Sequence, residues 1–106
     1  MQIINVDYEN EQGEAIERLP INFVDVLSVL YKNEEVNAKK YPWIMTIDPY
    51  GDTTFNLLQW AHLISEFTEL EKSLENENAK NIVNGLIHFL KKNQNNTHTY
   101  LKFIGD

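Results

Sequence analysis

The chain has 106 residues, 42% of them hydrophobic and 24% charged, the composition of one small folded domain rather than of a disordered segment. It contains no cysteine, which removes disulfide scaffolds, thiol catalysis and thiolate-bound zinc. Sixteen acidic against nine basic residues give a net charge of −7, which argues against a general binder of nucleic-acid backbone and fits a basic protein partner.

Residues 2–8 read as a strand, because Ile4, Val6 and Tyr8 alternate with Asn5 and Asp7. The polar stretch that follows ends at Gly13, and residues 14–19 return as a second strand to make a hairpin. Asn22 is the expected N-cap of the first helix, with Asp25 in its first turn and Ile21 and Val26 at the staple positions. Phe23, Val26, Leu27 and Leu30 share one helical face, and the helix is expected to end near Asn33, before the polar run 34–40. Tyr41 to Ile47 is apolar and reads as a strand, running into the turn chemistry of Asp48-Pro49 and Tyr50-Gly51-Asp52.

The second helix has the clearest start. Asn56 and Gln59 form a variant capping box, Phe55 and Trp60 take the staple positions, and Trp60, Leu63, Ile64, Phe67, Leu70 and Leu74 form its core stripe. A polar break at 75–78 is short enough for an antiparallel helix pair. A third helix then runs from about Ala79 to Asn93 on Ile82, Val83, Leu86 and Leu90, with Gly85 marking close helix packing. Residues 97–104 alternate and read as the closing strand. The order implies a single α+β domain, 1–106, with a small, mainly antiparallel sheet and about three helices packed on one face. The other sheet face is then open to solvent or to a partner.

Charge is unevenly spread. Residues 1–30 hold Asp7, Glu9, Glu11, Glu14, Glu17 and Asp25 against Arg18 alone. A second acidic face is expected at Glu66, Glu69, Glu71, Glu75 and Glu77, with His62, Glu66, Glu69 and Ser73 turned away from the core. Lys91 and Lys92 stand where a helix C-terminus favours cations. The many asparagines, with Ile and Lys, suit an AT-rich bacterial genome.

Few residues carry obvious chemistry. Asp48 and Asp52 flank a glycine turn and could offer oxygens to a hard cation, but Tyr50 and Gln59 stand where a calcium loop needs ligands. A structural turn, with an aspartate bonding nearby N–H groups, is the plainer reading. His62 and Glu66 have the spacing of a metal pair but lack further ligands, so no metal or cofactor is expected. No serine lies in a nucleophile-elbow motif and no glycine-rich phosphate loop occurs, so no catalytic residue is assigned and a non-enzyme is favoured. Tyr41, Trp43, Phe55 and Trp60 read as core packing rather than a base-stacking platform, and Tyr50 as the surface aromatic of the turn.

IDPYGDTTFNLLQ at residues 47–59 and HTYLKFIGD at 98–106 resemble a group of small acidic bacterial proteins. That group shares an I-D-P-Y-G-D-T-x-F-N-x-x-Q core and an H-x-Y-L-x-F-I/V-G-D ending. The resemblance carries over no activity. It implies that Asp48, Gly51, Asp52, Asn56, His98, Gly105 and Asp106 belong to the group's signature. Physically, that places the closing strand beside the central turn, with Asp106 or the terminal carboxylate near it.

The expected function is a cytoplasmic, non-enzymatic interaction domain that binds neither nucleic acid nor membrane. Its most concrete form is an immunity-type antitoxin covering a basic toxin, with Tyr50 and the Glu-rich segments as contacts. The alternatives are a small enzyme or ligand-binding domain with a site at Asp48, Tyr50, Gly51, Asp52, His98 and Asp106, and a homodimer formed through an open sheet face or edge. No apolar run approaches the roughly 18 residues of a membrane span, and the start MQIINVDYEN lacks the pattern of a signal peptide.

Overall fold

The computed structural model describes residues 3–106. The N-terminal hairpin consists of β1 (Asn5–Asn10) and β2 (Ala15–Arg18), and Gly13 turns the chain at a φ of 79° that suits glycine. The expected first strand thus lies further along the chain, and its leading residue, Gln2, is outside the described residues. Helix α1 (Val24–Tyr31) begins one residue later than an Asn22 cap implies. The Asn22 side-chain Oδ1 still accepts the Val24 N–H at 3.1 Å, and it also accepts the Ile4 N–H at 2.9 Å, which ties the helix start to β1.

Two segments depart from expectation. The polar run folds as a helix, α2 (Glu34–Lys40), which buries no side chain and so leaves no hydrophobic periodicity to read. Charge placement favours it, with Glu34 and Glu35 in the first turn and Lys39 and Lys40 in the last, and the Asn37 side-chain amide ties it to α1 by donating to the Leu30 carbonyl at 2.7 Å. The second segment, Tyr41 to Ile47, is not a strand but a turn and a 3-10 helix at Ile44–Thr46. Its buried residues are Tyr41, Ile44 and Ile47, a spacing of three that matches a 3-10 turn and not the alternation of a strand.

After the central turn comes β3 (Asp52–Asn56), an edge strand unanticipated in the sequence. Helix α3 (Leu57–Ser73) starts on the expected capping box, in which the Asn56 side chain accepts the Gln59 N–H and the Gln59 side chain accepts the Asn56 N–H. Helix α4 (Glu77–Asn93) is capped by Asn76, whose side chain accepts the Ala79 N–H. Gly85 does not mark close packing, since a Cβ built there meets nothing within 4 Å. The chain closes with β4 (Thr99–Ile104).

The fold is α+β, with four helices rather than about three over one face of an antiparallel sheet ordered β2-β1-β4-β3. Register sorts the side chains into two faces. Val6, Phe103 and Thr53 form one row towards the helices, and Tyr8, Leu101 and Phe55 the next. Phe103 packs on Phe23 of the α1 entry at 4.8 Å and Tyr8 on Phe89 of α4 at 5.1 Å, so the aromatics lock sheet to helices. Tyr41, Phe55 and Trp60 are buried in this core, while Trp43 is half-buried and lies flat on His62.

Candidate functional site

The two signature blocks meet where β4 ends. The Gly105 N–H donates to the Gly51 carbonyl at 2.8 Å, and a Cβ on Gly105 would lie 2.3 Å from the Pro49 carbonyl oxygen. Only glycine lets β4 approach the turn backbone so closely. Inside the turn, the Asp48 carboxylate accepts the Tyr50 N–H at 2.8 Å, and Thr53 Oγ1 accepts the Asp48 N–H at 2.9 Å. Tyr50 projects from the tip, 67% exposed. Tyr31, at the end of α1, faces the same turn. Partial burial first, then the negative charge of Glu34 and Asp48, hold its hydroxyl pKa above the ordinary value of 10.0.

The remaining signature residues are not gathered here. Asp52 points to the sheet's outer face, 3.5 Å from Lys102, and so does not share partners with Asp48. Asp106 accepts the Ile3 N–H at 3.4 Å, beside the approach to β1. His98 stands at the opposite end of β4, a strand length of roughly 20 Å away at about 3.3 Å per residue. It adopts a left-handed φ of 61° and faces Glu11 at 3.4 Å. Asp48, His98 and Asp106 therefore form no single constellation. Among the described residues, no group of three or more His, Asp or Glu side chains lies close enough to hold a metal ion.

The acidic face expected on α3 and α4 is altered as well. Glu66 is not turned away, because its carboxylate accepts the Trp43 N–H at 3.1 Å and the Ile44 N–H at 2.9 Å, capping the 3-10 helix. With His62 stacked on Trp43 at 4.6 Å, the apparent metal pair is a clamp on that turn. Glu71 is half-buried and accepts from the Asn84 amide at 2.7 Å, linking α3 to α4. Glu69 pairs with Lys72 at the surface and, with Glu75 and Glu77, stays exposed.

The sheet's outer face carries a feature that sequence periodicity does not reveal. Asp7 and Glu9 sit on the central β1, only 4% and 7% exposed, although no helix covers them. Arg18 from β2 makes a bidentate pair with Asp7 at 2.7 and 3.1 Å, and this hydrogen-bonded carboxylate raises the guanidinium pKa further above its usual value. Lys102 from β4 lies between Glu9, at 3.8 Å, and Asp52. The charges thus form an ordered lattice across all four strands, shielded by their own neighbours. No sequence cue marks it, because Val6 to Glu9 alternates apolar and acidic residues and alternation alone reads Asp7 and Glu9 as solvent-facing.

No family model matches the chain, and neither the curated proteins nor the solved structures yield a match.

At the hairpin, Glu11 and Glu14 are exposed beside this lattice, Glu17 is exposed on the helix side of β2, and Ile16 is 54% exposed. The site that emerges is a surface rather than a cleft: an uncovered sheet face of paired charges, flanked by a hairpin turn that carries Glu11 and Glu14.

Proposed function

We propose that this chain is a non-enzymatic, acidic protein-binding domain whose contact surface is the uncovered sheet face with the β1–β2 hairpin. In its most concrete form it is an immunity-type antitoxin that covers a basic toxin, acting in the cytoplasm of a bacterium. The observation that supports this reading is the placement of the N-terminal carboxylates. Glu11 and Glu14 stand exposed at the hairpin turn beside a face whose own charges, Asp7, Glu9, Arg18 and Lys102, are already fixed by one another, and Glu17 adds an exposed carboxylate on the helix side of the same edge. A face preorganised in this way has little side-chain entropy left to lose on docking. Steering by the hairpin would bring a basic protein in, and occlusion of its surface would do the rest.

The test is affinity capture from a lysate of the source organism at low and at high salt. A stoichiometric basic protein, released by salt and lost with Glu11→Lys/Glu14→Lys/Glu17→Lys, is the expected result. Capture of no such protein, or capture indifferent to the three substitutions, contradicts the reading.

A further inference from the structure

The outer strand of the hairpin, β2, is a sheet edge whose four residues are all exposed. Leu19 donates its N–H to Val6 at 2.9 Å, so by strand alternation the N–H and C=O of Arg18 point off the sheet. On the helix side of this edge runs a groove of about 250 Å³, bounded by Glu17 and Leu19 above and by Ile82, Leu86 and Phe89 of α4 below. Glu17 pairs with Tyr8, whose ring packs on Phe89, so the groove opens on the side where alternate residues of an added strand would project. Gly85 lies within it, and the absence of any atom within 4 Å of its missing Cβ leaves room for an incoming side chain. The groove continues past Ile82 into a second hollow of about 260 Å³ that ends at Asp25.

We infer that an extended segment of a basic partner protein docks here, adding as a fifth strand on Ala15–Arg18 and seating one aliphatic side chain over Gly85. This rests on the acidic-domain reading above and names where the partner is held. Three features select the occupant. The edge offers main-chain hydrogen bonds, the groove accepts an apolar side chain, and Glu14, Glu17 and Asp25 ask for cationic residues on either side. A second copy fits poorly, because residues 9–18 hold four carboxylates to one guanidinium, and that guanidinium already grips Asp7. The shortness of β2 and its charges keep the edge from pairing indiscriminately.

The probe is a capped peptide, Lys-Val-Lys-Val-Lys-Val-Lys, titrated into the labelled protein and followed by amide chemical shifts. Shifts and slowed amide exchange confined to 15–18 and 81–89 are expected, with affinity falling tenfold or more for Gly85→Leu while its melting temperature does not fall, since leucine suits a helix interior better than glycine. Glu14→Lys/Glu17→Lys gives a second variant with the same expected loss. Shifts scattered over remote carboxylates such as Glu69 and Glu75 overturn the groove but leave the acidic-domain reading standing. Absence of shifts overturns the groove too, and the captured partner then decides the wider reading by itself. Concentration-dependent shifts at 15–18 without peptide would give the edge to a second copy and overturn the inference.

Discussion

Gly105 is the residue on which the two signature blocks depend. Any side chain there would drive into the Pro49 backbone, which has no freedom to move aside while β3 and β4 stay paired. Gly105→Ala is expected to destabilise the fold by about 1–3 kcal/mol, the range for overpacking a tight contact, and thermal unfolding measures it. Gly51 differs, because its Cβ would meet the Asp48 carboxylate at 2.7 Å, a side chain that can swing away at the loss of its bond to the Tyr50 N–H. Tyr31 makes a pH prediction. Its pKa is raised in the folded state, chiefly by burial, so the fold binds that proton more tightly than the unfolded chain does. The associated stability is present below pH 10 and is lost as pH rises through the folded pKa. Tyr31→Phe should therefore flatten the alkaline end of the stability profile above about pH 10, and an unaltered profile would exclude Tyr31 as its cause.

Among the elements, the ones legible in the sequence are those whose stability comes from a buried stripe or a local cap. Helix α3 is readable because Asn56 and Gln59 bond each other's backbone and Trp60, Leu63 and Phe67 recur on one buried face. Helix α4 and strand β4 follow for the same reason, and Tyr50 at a turn tip is the exposed aromatic that was expected. Helix α2 was silent because it has no buried residue. The 3-10 turn reads as a strand in the sequence because what holds it is Glu66, more than twenty residues along the chain. Glu66→Ala removes a charged acceptor from two N–H groups and is expected to cost about 1.5–3 kcal/mol, readable by denaturant titration. Helix α2 rests on dipole placements worth only about 0.3–1 kcal/mol each and one side-chain hydrogen bond from Asn37 to α1, with no buried residue, so its amides should exchange before those of α3 and α4. Protection of residues 34–40 equal to that of the α3 core would contradict this ordering.

At the scale of the molecule, β1 and β4, from opposite ends of the chain, are the two central strands, so the sheet closes only when the whole chain is in place. That topology separates the signature residues, with Asp48, Gly51 and Gly105 at one end of β4 and His98 at the other. It also brings Arg18, Asp7, Lys102 and Asp52 into one charged face, though they are distant in sequence. Composition conveyed the excess of acid but not its distribution, because long-range pairing decides which carboxylates remain free. Glu66 and Glu71 on α3 help hold the fold together, whereas Glu11 and Glu14 of the hairpin meet the local groups His98 and Asn10 and stay exposed.

The most direct test of this account is the rate at which the captured basic partner associates, measured by stopped flow across a range of salt. Charge reversal at Glu11, Glu14 and Glu17 is predicted to slow association by about tenfold or more at low salt and to flatten its salt dependence, while Glu69→Lys/Glu75→Lys/Glu77→Lys has much the smaller effect. The opposite ranking, with the helical set controlling the rate and the hairpin set indifferent, would contradict the placement of the docking face.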